Sequence, residues 1–455
     1  MNLRSKRQFR FWAALNSVLT NLALKIQRLY AHVPLAEPSG KVVEASANGY
    51  KIQGLSHFVK PGSLVRFLSG TLPVLAEIVR VERETVLARP FGHSTNISLT
   101  TEVNPVGNLT ISPSSEWKGR MIDALARPMD GGPDLIVGDE SLSVDNGPPS
   151  AMTRKLIKTA VKTGVRVIDI FTPLCSGQRI GIFAGSGVGK STLLAMLSGA
   201  MGFDTVIVVL VGERGREVRE FAETTLGKEK HRLISVVATG DESPMMRRLA
   251  PRTGMRIAEY FRDRGENVLL IMDSVTRYAH ACRDVALSAG EAPVARGFPP
   301  SVFSDLPRLL ERAGPGAEGK GFITGVFSVL VDGDDHNDPI ADAIRGTLDG
   351  HIVLSRSIAE QGRYPAINLL SSISRLSQLV WTPDQRKLVR MLLALIARYE
   401  DSRDLRSMGG YQAGSDLELD KALVIVPKLY QALFQANDSV PSVDPFAEVA
   451  AQLSD

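Results

Sequence analysis

Ala184-Gly185-Ser186-Gly187-Val188-Gly189-Lys190-Ser191-Thr192 is the stretch that decides how this chain folds. It follows the strand-like run Arg179 to Ala184 and opens the helical run Leu193 to Leu197. That strand-to-helix setting is what a phosphate-binding loop requires. Glycines at this spacing let backbone N–H groups converge at the positive end of a helix, where an anion is held. Gly185, Ser186, Gly187, Val188 and Gly189 are therefore read as the backbone cradle for ATP, and Lys190 as the cation reaching its β- and γ-phosphates. Ser191 is read as a Mg2+ ligand, with Thr192 beside it. Ala184 departs from the strict first glycine, but that position only enters the turn. A glycine-rich turn of purely structural purpose is the competing reading, and Gly-Lys-Ser-Thr in this setting argues against it.

On either side of the loop, strand-like runs alternate with helical patterns: Thr205 to Val211, Leu233 to Ala238, Asn267 to Asp273 and Gly321 to Val331. Such alternation predicts a mostly parallel sheet with helices on both faces. Val268-Leu269-Leu270-Ile271-Met272 ends at Asp273, which places this carboxylate at the carboxyl end of a buried strand, where an open α/β sheet holds its ligand. Asp273 is read as the second carboxylate on the Mg2+ side, acting through the ion's water shell. Another strand runs out into Gly212-Glu213-Arg214. Glu213 then reaches the same edge, where it can orient and deprotonate an attacking water, with Arg214 placed for the γ-phosphate. The plainer alternative is a surface ion pair of Glu213 with Arg214 or Arg216.

Towards the amino terminus, short β-rich runs from Gly40 to about Val106, separated by Gly, Pro and Asn-Gly turns, predict a small β-barrel domain over 33–106. A Pro-rich passage at Gly147-Pro148-Pro149 leads into the α/β block, taken as 107–384. Beyond Trp381-Thr382-Pro383 the strands cease, and Gln385 to Tyr399 and Leu417 to Leu433 carry helical periodicity, predicting a helical domain over 385–455. Residues 1–32 read as an amphipathic helix, with Leu15, Val18, Leu22, Ile26 and Leu29 spaced by three and four. Such a seam wants a partner. A signal peptide is the competing reading, but Asn16, Ser17, Thr20 and Asn21 interrupt the apolar stretch and Lys25 closes it.

Composition narrows the function classes. The chain of 455 residues is 44 % apolar and 22 % charged, near the average of soluble folded proteins, and long enough for two or three domains. Its longest apolar runs are strand-length, well short of the ~20 residues of a membrane helix. Cys175 and Cys282 are too few for a disulfide framework and are read as small buried hydrophobes. Of the net charge of +4, Arg4, Lys6, Arg7, Arg10, Lys25 and Arg28 supply six positive charges before any acidic residue, so the body is near −2. Basicity belongs to one end, and no nucleic-acid partner is expected.

Gly212-Glu213-Arg214, the segment Pro365-Ala366-Ile367-Asn368-Leu369-Leu370-Ser371-Ser372-Ile373-Ser374-Arg375 and the phosphate loop together resemble the rotary ATPase α/β-subunit family. Within it the chain looks most like the ATPases of type III protein export, and their flagellar branch in particular. That likeness is carried by the phosphate loop, by Gly240 to Pro251, by Phe298-Pro299-Pro300-Ser301-Val302-Phe303 and by Val331 to Pro339. It runs over essentially the whole chain after residue 35.

The resemblance implies an α/β P-loop NTPase with a RecA-like core, a barrel before it and helices after it. It implies ATP hydrolysis with Mg2+ at the interfaces of a homohexamer that releases and delivers export substrates for flagellar assembly. The virulence-type injectisome ATPase is the alternative. Glu213 would be the catalytic base, Arg214 a γ-phosphate contact, Asp273 the Walker B acid and Arg277 a nearby active-site arginine. Tyr364 would pack on the adenine ring, and Arg375 would be the arginine finger reaching the neighbouring subunit's site. Asp334, Asp335, His336 and Asp338 would form a solvated loop near the catalytic interface rather than a metal cluster. Tyr399 to Leu405 would face a central stalk protein. The implied partners are a regulatory or stator protein at the N-terminal helix, export gate membrane proteins and export chaperone-substrate complexes. The implied place is the cytoplasm, at the inner membrane below the flagellum. Since Glu213 and Arg375 stand on one chain, a ring of identical copies could carry a site at every interface, and a monomer would be nearly inactive. A non-catalytic nucleotide-binding ring subunit, the reading from another class, has no use for Glu213.

Overall fold

The computed structural model describes residues 38–69, 73–92, 97–226, 229, 231–331 and 338–454. The helix expected over 1–32 and the acidic loop residues Asp334, Asp335 and His336 lie outside them. The chain divides into two compact units, one running to Ala88 and taking up Asn96–Gly107, the other formed by Arg89–Thr95 and Asn108–Asp455.

The first unit is a closed barrel of six strands. In chain order these are β1 (Gly40–Ser46), β2 (Gly49–Gln53), β3 (Leu64–Phe67), β4 (Val74–Val81), β5 (Thr85–Pro90) and β6 (Glu102–Gly107). Their order around the barrel is β1-β2-β5-β4-β3-β6, and β6 closes on β1 through Gly40 opposite Val103. Alternation decides which side chains enter the core. Ala76 and Ile78 on β4 and Val86 and Ala88 on β5 are fully buried, whereas their neighbours in sequence are not. Closure leaves no unpaired strand edge, which suits a small barrel built of short strands.

The second unit is organised on a parallel sheet. Its strands are β7 (Met121–Asp123), β8 (Arg179–Ala184), β9 (Thr205–Glu213), β10 (Leu233–Thr239), β11 (Asn267–Asp273), β12 (Phe322–Leu330), β13 (Gly350–Leu354) and β14 (Ile373–Ser374). They lie in the order β14-β13-β8-β12-β11-β9-β10-β7, with only β14 antiparallel along this path. Being covered on both faces, β9 and β11 are buried almost throughout, which is why they read as continuous apolar runs. Helix α1 (Lys190–Ser198) leaves the end of β8, and α2 (Gly215–Phe221), α3 (Pro244–Asp263) and α4 (Val275–Ser288) follow β9, β10 and β11.

The C-terminal helices are specified locally and anchored by the same core. Thr382 caps α5 (Pro383–Asp401) in a reciprocal pair with Gln385, at 2.9 and 3.2 Å, and Pro383 supplies the preset first turn. Asp416 caps α6 (Leu417–Leu433) by accepting from the N–H groups of Glu418 and Leu419. Val389, Leu392 and Ile396 of α5 and Leu419, Val426 and Leu429 of α6 join Leu193 and Leu197 of α1 in one apolar cluster. The C-terminal helices thus share one packed core with the helix that begins with the phosphate loop. Among the described residues no helix is long and apolar enough to cross a membrane.

Candidate active site

Ala184 ends β8 in the middle of the sheet, and the chain turns there through Gly185 to Gly189 into α1. Gly187 and Gly189 take φ of 78° and 89°, a left-handed backbone that favours glycine. Gly189 is also the residue directly before α1, so the free N–H groups of the first helical turn point into the loop. The motif thus has the shape that phosphate binding demands.

Two neighbouring strands bring carboxylates to the same edge. Asp273 is the last residue of β11 and is 4 % exposed. Its Oδ1 accepts from the Lys190 ammonium and, at 2.7 Å, from the Ser328 hydroxyl on β12. Glu213 ends β9 beyond a bulge: the pairing with β10 slips between Val211 and Glu213, with Gly212 at φ 69°. A bulge re-aims the residue that follows it. Here it carries Glu213 to 3.9 Å from Lys190 Nζ and 3.4 Å from Arg277 Nη1. Gly212 is needed for space as well as for its backbone, because a Cβ there would meet Arg277 Cδ at 2.8 Å. Arg277 lies in the first turn of α4, where its N–H donates to the capping Ser274 hydroxyl at 3.3 Å and its guanidinium donates to the Gly212 carbonyl. The Asp273-Ser274 and Tyr364-Pro365 peptides are cis.

Burial of Glu213, its hydrogen bond to Glu217 and the negative charge of Asp273 push its carboxyl up to about 7, against the opposing pull of Lys190 and Arg277. The same hydrogen bond, donated by Glu213, holds Glu217 below the ordinary carboxylate range. Among the described residues Glu213 Oε1 accepts no hydrogen bond. A buried acceptor at the edge of a phosphate loop is the group a water molecule would meet. Ser191, Thr192, Glu213, Glu217 and Asp273 line a cavity of 390 Å³.

The Tyr364 ring lies over the loop: its Cε1 is 3.5 Å from where a Cβ on Gly189 would stand, and the residue is 41 % exposed. Arg214 is not drawn into the cluster. Its side chain is 79 % exposed and its Nη1 is 3.6 Å from Glu217 Oε1. Arg375 is exposed and follows β14, whose Ser374 pairs with Gly350 at the start of β13. That is the amino-terminal edge of the sheet, opposite the edge holding Glu213. Between β14 and β9 there are also five strand spacings, about 24 Å at the usual separation. Arg375 cannot reach Glu213 of its own chain.

Sequence reasoning had not singled out Ser328 or Glu217. Ser328 carries a weak signal, a hydroxyl in the mostly apolar buried run of β12, which it shares with Thr324. Glu217 carries none, because an acidic residue on a short helix looks like surface. Cys175 and Cys282 are buried, and burial raises each thiol to about 11.

Residues 164–374 match the ATP synthase alpha/beta family, nucleotide-binding domain, and residues 381–455 match the T3SS EscN ATPase C-terminal domain. A flagellum-specific ATP synthase of Rhizobium meliloti is 54 % identical over 441 residues, covering 97 % of this chain and 94 % of that protein. A type 3 secretion system ATPase of Xanthomonas euvesicatoria is 41 % identical over 436 residues, covering 95 % and 98 %. Among solved structures, the assembled ATPase EscN in complex with its central stalk EscO, from the type III secretion system of enteropathogenic E. coli, superposes with a TM-score of 0.82. It is 37 % identical and covers 91 % of this chain and 99 % of that one.

Proposed function

This chain belongs to the ATP synthase alpha/beta family, on the branch of the flagellum-specific ATPases, and from that we propose that it hydrolyses Mg2+-bound ATP at the interfaces of a homohexamer to deliver flagellar export substrates. The observation that carries the interfacial site is the separation just described: Glu213 stands at one edge of the sheet and Arg375 at the opposite edge, five strands away. Only a neighbouring subunit's Arg375 can complete the site around Glu213.

In this reading Lys190 and the loop N–H groups bind the β- and γ-phosphates, and Tyr364 covers the adenine. Glu213 takes the proton of the attacking water, with Arg277 holding its carboxylate in place. Arg214, exposed and held only by its surface ion pair with Glu217, swings to the γ-phosphate once nucleotide is bound. Ser191 and Asp273 suit Mg2+, a hard cation that takes a hydroxyl, one carboxylate and substrate phosphate oxygens rather than a full protein cage. When bound, the ion neutralises charge developing on the phosphates. The Lys190 ammonium, donating to Asp273, holds that carboxylate aimed at the loop.

The solved complex of EscN with its stalk supports a stalk protein as the partner of Tyr399 to Leu405. The basic segment 1–32 is assigned to a regulatory or stator protein, and the further partners are the export gate and the chaperone-substrate complexes. The chain works in the cytoplasm against the inner membrane at the flagellar base. The identity of 54 % to a flagellar relative against 41 % to an injectisome ATPase favours flagellar export. Deleting the gene should remove flagella and motility. Normal motility with lost effector secretion would assign the chain to an injectisome instead. Specific activity of the purified protein should rise with its concentration as the ring assembles, and activity independent of concentration would remove the interfacial site.

A further inference from the structure

Tyr364 is preceded by Arg363, whose guanidinium lies over the Tyr430 ring of α6, 3.3 Å from its centroid. Arg363 Nη1 is also 3.6 Å from Glu400 Oε1 near the end of α5. Tyr430 donates its hydroxyl to the same carboxylate oxygen at 2.6 Å. Burial and that hydrogen bond push the Tyr430 hydroxyl well above the ordinary range, so it stays a donor at any working pH. Arg363 and Glu400 are only 22 % and 30 % exposed in their side chains, which spares the contact most of the solvent screening an open ion pair suffers. One residue on, the Tyr364 carbonyl accepts from the Gln435 N–H at 2.9 Å, just past the end of α6. The turn bearing Tyr364, which follows the short helix Arg356–Ala359, is thus tied to the C-terminal helices through Arg363 and through the Tyr364 carbonyl, and the Tyr364 ring is left over Gly189 of the phosphate loop.

From this geometry we infer that Arg363, clamped by Tyr430 and Glu400, is a positioning residue that holds Tyr364 over the nucleotide base. The inference rests on the reading of Tyr364 as the adenine cover. Among the described residues the Arg363 guanidinium meets Tyr430, Glu400 and Gln361, none of them in the phosphate loop, so its effect is on the base end of the substrate and not on the phosphates. A stacked cation of this kind suits arginine, whose planar guanidinium lies flat on the ring.

The test compares ATP with inorganic tripolyphosphate, which has the phosphates and no base, on the full-length protein. In Arg363→Ala, and independently in Tyr430→Leu, KM for ATP should rise about three- to tenfold while kcat stays within about twofold. Inhibition by tripolyphosphate should be unchanged. Arg363→Lys should recover most of the loss, and combining Arg363→Ala with Tyr430→Leu should be no worse than either alone. An unchanged KM in both single variants would overturn the inference if Tyr364→Ala raises KM. An unchanged KM in Tyr364→Ala would show that the adenine reading beneath it had failed. Equal weakening of ATP and tripolyphosphate would also overturn it, because it would mean general distortion of the loop.

Discussion

Glu213 Oε1 stands 3.9 Å from Lys190 Nζ, at the edge of the sheet where the phosphate loop begins. In the proposed mechanism, the cation that would grip the terminal phosphates and the carboxylate that would face the attacking water are thereby held in one frame. Their separation is too long for a committed hydrogen bond, so Glu213 is free to accept one from water. Glu213→Gln keeps the shape and removes the base. Its kcat should fall about 10²- to 10⁴-fold, with ATP affinity by equilibrium binding within about threefold of the parent. Loss of binding together with turnover would show that Glu213 serves structure instead.

The raised carboxyl of Glu213 sets a pH dependence. A base must be ionised to act, so kcat/KM, which reports the free enzyme, should climb through pH about 7 and level off above it. Stability moves the other way. The folded chain keeps the Glu213 proton between the ordinary carboxyl value of 4.5 and about 7, where the unfolded chain has lost it. Folding is therefore penalised progressively as pH rises through that window. Glu213→Gln escapes the penalty, so its melting temperature should exceed the parent's above pH 7, with the gap closing towards pH 4.5.

Asp273 is tested through the metal. Removing its carboxylate takes from Lys190 its hydrogen-bonded partner and from the proposed Mg2+ site its protein carboxylate. Asp273→Ala should raise the Mg2+ concentration for half-maximal activity about ten- to a hundredfold. Chelation with EDTA should abolish turnover in the parent, and titration of Mg2+ in both proteins provides the comparison.

Gly189 carries φ of 89° at the entry to α1. A side chain there would meet only ordinary contact with Tyr364 at 3.5 Å, so the cost of Gly189→Ala is backbone strain. It should destabilise the protein by about 1–2 kcal/mol in denaturant unfolding and weaken ATP binding. A variant as stable as the parent would mean that the loop relaxes freely.

Much of this architecture is legible from the sequence, for reasons that differ by element. Arg179–Ala184 and Asn267–Asp273 are bounded in the structure where their apolar runs begin and end, because a strand buried on both faces has no polar positions to blur its limits. Gly350–Leu354 escapes such reading: it is five residues long, opens on Gly350 and His351, and is recognisable only by its pairing with the phosphate-loop strand. The bulge at Gly212 is likewise invisible until β10 is seen to slip against β9. Glu217 looks like surface until Glu213 is found beside it. Arg375 shows the opposite limit. A motif points to it in sequence, yet within one chain it is an exposed arginine at the far edge of the sheet, and the role proposed for it needs a second copy.

The central claim, that Glu213 of one subunit works with Arg375 of the next, is tested most directly by mixing two inactive variants. Glu213→Gln and Arg375→Ala should each be nearly inactive alone, with the arginine worth about 10³- to 10⁵-fold in rate. In mixed rings some interfaces pair an intact Glu213 from the arginine variant with an intact Arg375 from the glutamine variant. ATPase activity should therefore reappear on mixing and peak near equal proportions. A mixture that assembles into rings and remains as inactive as its components would contradict the shared site.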